Sequence, residues 1–345
     1  MGTAVIVDPL ADPRWRRLLA RSPDGSVFHH PAWLRLLRMS YRYPVFACCI
    51  ASDGEQLIAG LPVATVASRL TGRRLVALPF SDLCPALVAR DAPPQAHWEL
   101  GDALAEVQRS HGLPLEIRAP TEVVLGAAPG ERFHHHVLAL EPDVAAVQRR
   151  FARPQALRGV RRAMREGLRA EVRSDRDALA GFYRLHMATR RRLGVPTQPR
   201  RFILGLERLF DEGLGFVLLV RADGRDVAAA VFLTSHGVLT YKYGASDPRS
   251  LAARPNNLLF MEAIRWGCEH GMRRLDFGRT HWDHDSLRAF KLAWGAEERE
   301  LRYRHVGGVP ARGGARAPDM LGELIRRTPP GVGRAIGEVL YRHAG

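Results

Sequence analysis

Apolar and polar positions along this chain fall into two patterns, and each pattern occurs twice. Residues 46–63 (FACCIASDGEQLIAGLPV) and 216–233 (FVLLVRADGRDVAAAVFL) both read as an apolar run, an Asp-Gly turn and a second apolar run. Asp-Gly between apolar runs predicts a β-hairpin, because the tight turn needs positive φ. The two segments align without a gap, with Phe46/Phe216, Asp53/Asp223, Gly54/Gly224 and Ala59/Ala229 identical. Downstream, residues 103–118 and 257–278 both read as a helix, a His-Gly pair (His111-Gly112 and His270-Gly271) and a strand. A glycine there suits the left-handed residue just past a helix end. With one gap, Glu116 matches Asp276 as the acid in an otherwise apolar strand.

Each half is thus expected to run through helices, a hairpin, a further strand, a helix and a strand, a mixed α/β layer fold present twice. Helices are expected near 31–40, 144–167, 177–193 and 199–211, with Gly194-Val195-Pro196 separating the last two. Strand 240–245 (TYKYGA) should place Tyr241 and Tyr243 on one face and Lys242 on the other. A polar loop follows at 246–255, and Asn256 or Asn257 is expected to cap the next helix. Residues 285–295 read as a capped helix, with Leu287, Phe290 and Trp294 in the core and Lys291 at the edge of that stripe. The organisation expected is a first domain at 1–142, a second at 143–308, a Gly/Pro/Arg linker at 307–318 and helical segments at 319–327 and 333–343. That tail, 309–345, either folds back onto the first domain or forms a basic appendage.

Composition narrows the function. The 345 residues are 46% hydrophobic and 25% charged, which are globular proportions. No apolar run approaches the ~18 residues of a membrane span, and residues 1–15 lack a basic-then-apolar leader pattern. The four cysteines form no CxxC pair, which suits reduced thiols in a cytoplasmic protein. Net charge is +15, a field that attracts anions such as nucleic acid, phosphorylated donors or anionic lipid. Only Lys242 and Lys291 are lysines among 51 Lys and Arg residues, which singles both out.

Candidate chemistry concentrates between 240 and 303. Asp276-Phe277-Gly278-Arg279 ends a strand, a position suited to a site in an α/β fold; the alternative is an Asp that caps a turn or pairs with Arg279. Lys291 could offset a developing oxyanion as a point charge, or snorkel at the surface. His281, Asp283, His284 and Asp285 cluster, but HxxH without a fixed third ligand is a weak metal pattern, and His134-His135-His136 would point to alternating faces. No metal site is expected. The segment 149–173 is the most basic; on a helix, Arg158, Arg161, Arg162 and Arg165 would share one side and could track phosphates. GxSxG, HExxH, P-loop and GxGxxG patterns are absent, which argues against serine hydrolases, metalloproteases, NTPases and dinucleotide enzymes.

The segments HMATRRRLGVP (186–196), YKYGASD (241–247), RPNN (254–257), DFGR (276–279) and FKLAWGA (290–296), with FHHPAWL (28–34) and LPFSDLCPAL (78–87), resemble the FemAB-type acyltransferases. The resemblance implies two tandem GNAT-like domains, each a mixed twisted sheet flanked by helices. It implies an enzyme that forms an amide on an amine of a cell-envelope precursor, at the inner face of the membrane, with aminoacyl-tRNA or acyl-CoA as co-substrate and no bound cofactor. By that resemblance Lys291 stabilises the tetrahedral oxyanion or the leaving group, and the Phe290 carbonyl orients the amine. Tyr241, Tyr243, Arg190, Arg191 and Arg192 would line the acceptor site, with Asn256, Asn257, Asp276 and Arg279 as further substrate-binding positions. The sequence departs from the pattern in lacking sustained heptads and in lacking glycine at 249–257, where a GNAT pyrophosphate loop would be Gly-rich. That departure and the charge of +15 favour aminoacyl-tRNA. Two rival readings are acyl-CoA-dependent acetylation of an amino sugar and a non-catalytic basic module that holds RNA or an anionic glycolipid.

Overall fold

The computed structural model describes residues 2–68, 71–119, 123–152, 154–309 and 319–343. They form two compact units, one of residues 2–133, 300–309 and 341–343, the other of 134–299 and 319–340. The linker expected at 307–318 lies outside the described residues from 310 onward.

The first unit runs β1 (Thr3–Val7), α1 (Pro13–Arg21), α2 (Pro31–Tyr41), β2 (Val45–Ala51), β3 (Leu57–Ser68), β4 (Gly72–Val76), β5 (Leu87–Val88), α3 (Gln95–His111), β6 (Leu115–Ile117) and the start of β7 (Ala128–Ala139). Trp15 and Leu18 of α1 pack with Ala47, Cys49, Leu57 and Leu87 of the sheet. Gly112, at φ +61, ends α3 as expected.

The second unit holds the end of β7, then α4 (Val144–Arg149), α5 (Pro154–Arg165), β8 (Arg169–Arg173), α6 (Arg176–Leu193), α7 (Arg200–Gly205), α8 (Glu207–Asp211), β9 (Gly215–Ala222), β10 (Arg225–Ser235), β11 (Val238–Ser246), α9 (Pro255–Glu269), β12 (Arg274–His281), α10 (Asp285–Ala293) and the start of β13 (Glu297–Val306). Helices α11 (Asp319–Arg327) and α12 (Pro330–Leu340) also belong to it and lie against α6. Strand order is β7-β12-β11-β10-β9-β8. One sheet face packs Leu218, Val220, Phe232, Leu239, Leu275 and Phe277 against Leu259, Phe260, Ala263 and Ile264 of α9. Among the described residues no helix is long and apolar enough to cross a membrane.

The duplication is visible in backbone register. In the first unit β4 pairs parallel with β6 through Leu75/Leu115 and Val76/Glu116. In the second, β11 pairs parallel with β12 through Val238/Arg274, Leu239/Leu275 and Thr240/Asp276. Glu116 and Asp276 therefore occupy the same place, the last rung of a parallel pair. In the first unit, β6 takes β13 as its other neighbour, with Arg304 opposite Ile117. In the second, β12 takes β7. Each sheet is thus completed by a strand that precedes or follows it in the other copy's stretch of chain.

Several local expectations are corrected. The helix expected over 144–167 is two, because Pro154 lacks an N–H and begins a new one. Residues 199–211 likewise divide at Leu206. The second hairpin has positive φ at both Asp223 (+49°) and Gly224 (+74°), but in the first Glu55 takes the left-handed position at +58°. There the Glu55 N–H bonds the Ser52 carbonyl, so Asp53-Gly54 is still the centre of the turn, and Glu55 makes the loop one residue longer.

Candidate active site

The strand pair β11–β12 organises the site. Its last paired rung is Thr240/Asp276, and both strands run on beyond it, β11 to Ser246 and β12 to His281. Leu275 and Phe277 point into the core against α9, so Asp276 faces the opposite side of the sheet. Its Oδ1 lies 2.8 Å from His135 Nε2 of the neighbouring strand β7 and accepts the Gly278 N–H at 2.7 Å. Burial raises the Asp276 carboxyl, but the charge and hydrogen bond of His135, the Gly278 N–H and the charge of Lys291 outweigh it and hold the group below the usual carboxylate range.

Gly278 has φ +69°, a region that favours glycine. That geometry lets one residue serve two partners through the peptides on either side of its Cα: the N–H goes back to Asp276, and the carbonyl goes forward to α10. Lys291 Nζ donates to the Gly278 carbonyl at 2.9 Å and to the Arg279 carbonyl at 3.3 Å. His135, Asp276, Gly278 and Lys291 form one hydrogen-bonded chain across β12. The helix stripe is correspondingly revised. Trp294 is fully buried and Lys291 is 2% exposed, whereas Leu287 and Phe290 are only partly buried. Lys291 is not a snorkelling surface residue; carbonyl oxygens solvate a buried ammonium. Phe290 meets Phe260 edge-on at 5.3 Å and lies in the last turn of α10, where carbonyls lack intrahelical partners.

A second polar cluster stands on the other side of β7. His136 Nε2 lies 2.9 Å from Glu298 Oε2, and His134 Nδ1 lies 3.3 Å from Glu298 Oε1. Arg288 of α10 grips the same carboxylate in bidentate fashion, at 2.6 and 2.7 Å. Arg288 and, against burial, the histidines pull the Glu298 carboxyl down to about 2. His136 is fully enclosed; burial first and the Lys291 charge next lower it to about 4 against the pull of Glu298. His134 stacks on Trp282 with ring centroids 4.1 Å apart. These residues were not singled out as a site from the sequence. The HHH triplet is plain in the sequence, but its partners Asp276 and Glu298 are more than 130 residues away. No group of three or more His, Cys, Asp or Glu side chains converges as metal ligands among the described residues.

The structure divides the residues expected to line an acceptor site. Lys242 is an extra residue in β11: Phe232 pairs with Tyr241 while Val231 pairs with Tyr243. That bulge reverses the alternation, so the tyrosines do not share a face. Tyr241 packs on Phe232 and Phe260 on the α9 side, and its burial raises the phenol to about 12. Tyr243 packs on His186 and Phe202, on the α6 and α7 side. Arg190 donates to the Pro196 carbonyl at 2.9 Å, which ties the end of α6 to the following loop. The Arg191 Nε is buried without a hydrogen-bond partner, and Arg192 is exposed. Arg190–Arg192 thus occupy the last turn of α6. Neither Asn256 nor Asn257 caps α9. Arg254 does so in the left-handed region at φ +62°, ahead of Pro255. Asn257 instead donates Nδ2 to the Ala156 carbonyl at 3.3 Å, joining α9 to α5. Arg279 contributes its carbonyl to Lys291.

Comparison with known proteins supplies a family. Residues 150–291 match the family model described as an acetyltransferase (GNAT) domain. A comparison with curated proteins finds no match. Among solved structures, FemX superposes with a TM-score of 0.69 at 16% identity, covering 87% of this chain and 96% of that one. L-PGS from Bacillus licheniformis gives 0.56 at 14% identity, covering 94% and 97%. A tandem GNAT protein from the clavulanic acid biosynthesis pathway gives 0.53 at 12%, covering 89% and 99%. At these identities the structures establish the fold. His135 and Glu298 lie outside the matched segment, and Lys291 is its final residue. Residues 150–291 belong to the acetyltransferase (GNAT) family, within a chain that has the FemAB-type fold of two GNAT-like domains, and the protein is an acyltransferase.

Proposed function

We propose that the enzyme forms an amide between an acyl group carried on aminoacyl-tRNA and an amine of a cell-envelope precursor. The observation that carries this reading is the buried Lys291 ammonium, fixed by the Gly278 and Arg279 carbonyls just past the last rung of the β11–β12 pair. The amine nitrogen attacks the ester carbonyl and a C–N bond forms. The C–O bond to the ribose then breaks, and the hydroxyl leaves with the proton that the amine gives up. Negative charge gathers on the carbonyl oxygen in between. A fixed positive charge in a water-poor, low-dielectric surrounding acts on it through space. The last-turn carbonyls of α10, Phe290 among them, can accept hydrogen bonds from the N–H groups of the approaching amine.

Support for the RNA-borne donor comes from the start of α9. Residues 248–257 contain no glycine, and Pro255 removes one amide from the first turn. A phosphate cradle made of backbone N–H groups is therefore poorly provided. The family match to acetyltransferases favours a second reading, an acyl-CoA donor acting on an amino sugar. Incubation of the protein with labelled aminoacyl-tRNA and with labelled acetyl-CoA, each beside nucleotide- and lipid-linked precursors, separates the two. Depletion of acetyl-CoA alone would discard the RNA-borne donor.

A further inference from the structure

Helix α5 carries an unusual surface. Ala156, Gly159, Val160 and Ala163 recur at helical spacing and are buried, which docks this side on α9. Arg158, Arg161, Arg162 and Arg165 occupy the outer side and are exposed. Arg162 reaches Glu166 at only 3.8 Å. Arg158, Arg161 and Arg165 meet no carboxylate among the described residues, and Glu166 is the only acid from 154 to 168. Other arginines of this unit are tied to acids: Arg173 pairs with Asp175, Arg176 with Glu207 and Arg249 with Asp247, each within 3 Å. Arg254, exposed and also without a partner among the described residues, stands where Asn257 joins α9 to α5.

We propose that this outer face of α5, extended by Arg254, is a docking surface for the phosphate backbone of duplex RNA. This rests on the aminoacyl-tRNA reading and deepens it. The arginines from 158 to 165 span about 10 Å of helix axis, a length over which a double helix carries roughly six phosphates, at about one charge per 1.7 Å. Arg forks match phosphate geometry. A membrane surface is the poorer partner, because interfacial helices bury an apolar face in lipid, and here that face is spent on α9. Single-stranded RNA is poorer too, since stacking platforms need aromatic side chains, and the large apolar residue exposed on α5 is Met164. Duplex RNA recognised by shape and phosphate contact remains.

The test is binding of deacylated tRNA, followed by anisotropy across a series of KCl concentrations. Alanine keeps helix propensity high, so the triple variant Arg158→Ala, Arg161→Ala, Arg165→Ala should fold as the parent does, checked by circular dichroism. Its slope of log K against log salt should be shallower by about three, roughly one for each phosphate contact removed. A control triple variant, Arg176→Ala, Arg249→Ala and Arg299→Ala, removes the same charge from acid-paired positions and should keep the parent slope. Equal slopes for parent and α5 variant, or equal losses in both variants, would overturn the proposal. So would an α5 variant that loses binding to phosphatidylglycerol vesicles while holding tRNA as before. Because the RNA carries no amino acid, binding reads independently of transfer: RNA held on this face without product from any aminoacyl-tRNA would sink the donor reading alone.

Discussion

Lys291 Nζ sits 2.9 Å from the carbonyl oxygen of Gly278, the same residue whose N–H bonds Asp276. The ammonium on α10 and the carboxylate on β12 are therefore linked through a single residue, and the carboxylate is held in turn by His135.

Removal of that charge should affect chemistry more than folding. Lys291→Met keeps the stem volume and loses the ammonium, and turnover should fall by about 10²–10³, the usual effect of losing one oxyanion partner. Lys291→Arg should not restore it, because a planar guanidinium does not fit a site where two carbonyls surround a compact ammonium. Steady-state transfer assays on the folded variants check both, and full activity in Lys291→Met would remove this residue from the reaction.

His135 is a positioning residue in this scheme. His135→Phe should lower kcat with little change in KM, since it frees Asp276 and loosens the Gly278 peptide rather than removing a contact to substrate. The combined His135→Phe, Lys291→Met variant should be no slower than Lys291→Met alone, because residues in one network do not add. Additive losses would separate the two residues.

Two enclosed histidines should make stability depend on pH. Burial lowers both His136 and His186 to about 4. In the unfolded chain they titrate near the ordinary value of about 6.5, so between those values the unfolded state binds more protons. Their contribution is complete above pH 6.5 and is lost as pH falls toward 4. Urea midpoints measured from pH 7 to 4.5 should decline, and His136→Asn should decline by one proton less. A midpoint that rises on acidification would contradict this sign.

Helix α12 packs so closely that a methyl group has no place. A Cβ at Gly337 would fall on the backbone of Thr197. Gly337→Ala should therefore destabilise the protein by about 1–3 kcal/mol, the usual cost of overpacking, despite alanine's better helix propensity. Gly331→Ala, with open space around it, should be neutral or stabilising in the same thermal melts.

The repeat was legible from short-range patterns. Asp53-Gly54 and Asp223-Gly224, with the His-Gly ends of α3 and α9, place equivalent strands in both halves, and Glu116 and Asp276 prove to be the same rung. Lys291 stood out because arginine is the default cation of this chain. The break at Pro154 was also readable, since a missing N–H is a local property, though the segment reads as one helix until that proline is weighed.

What the chain pattern could not supply is which distant residues meet. One inserted residue, Lys242, turns Tyr243 to the opposite face from Tyr241, and alternation alone carries no mark of a bulge. The partner of Asp276 depends on β7 lying beside β12, across more than a hundred residues of chain, and that adjacency is settled by the packing of the whole sheet. Local sequence determined the elements and their order, because turns, caps and periodicity are short-range. Only tertiary structure decided that Lys291 is enclosed, because the carbonyls that solvate it come from a different strand, turned toward it at Gly278.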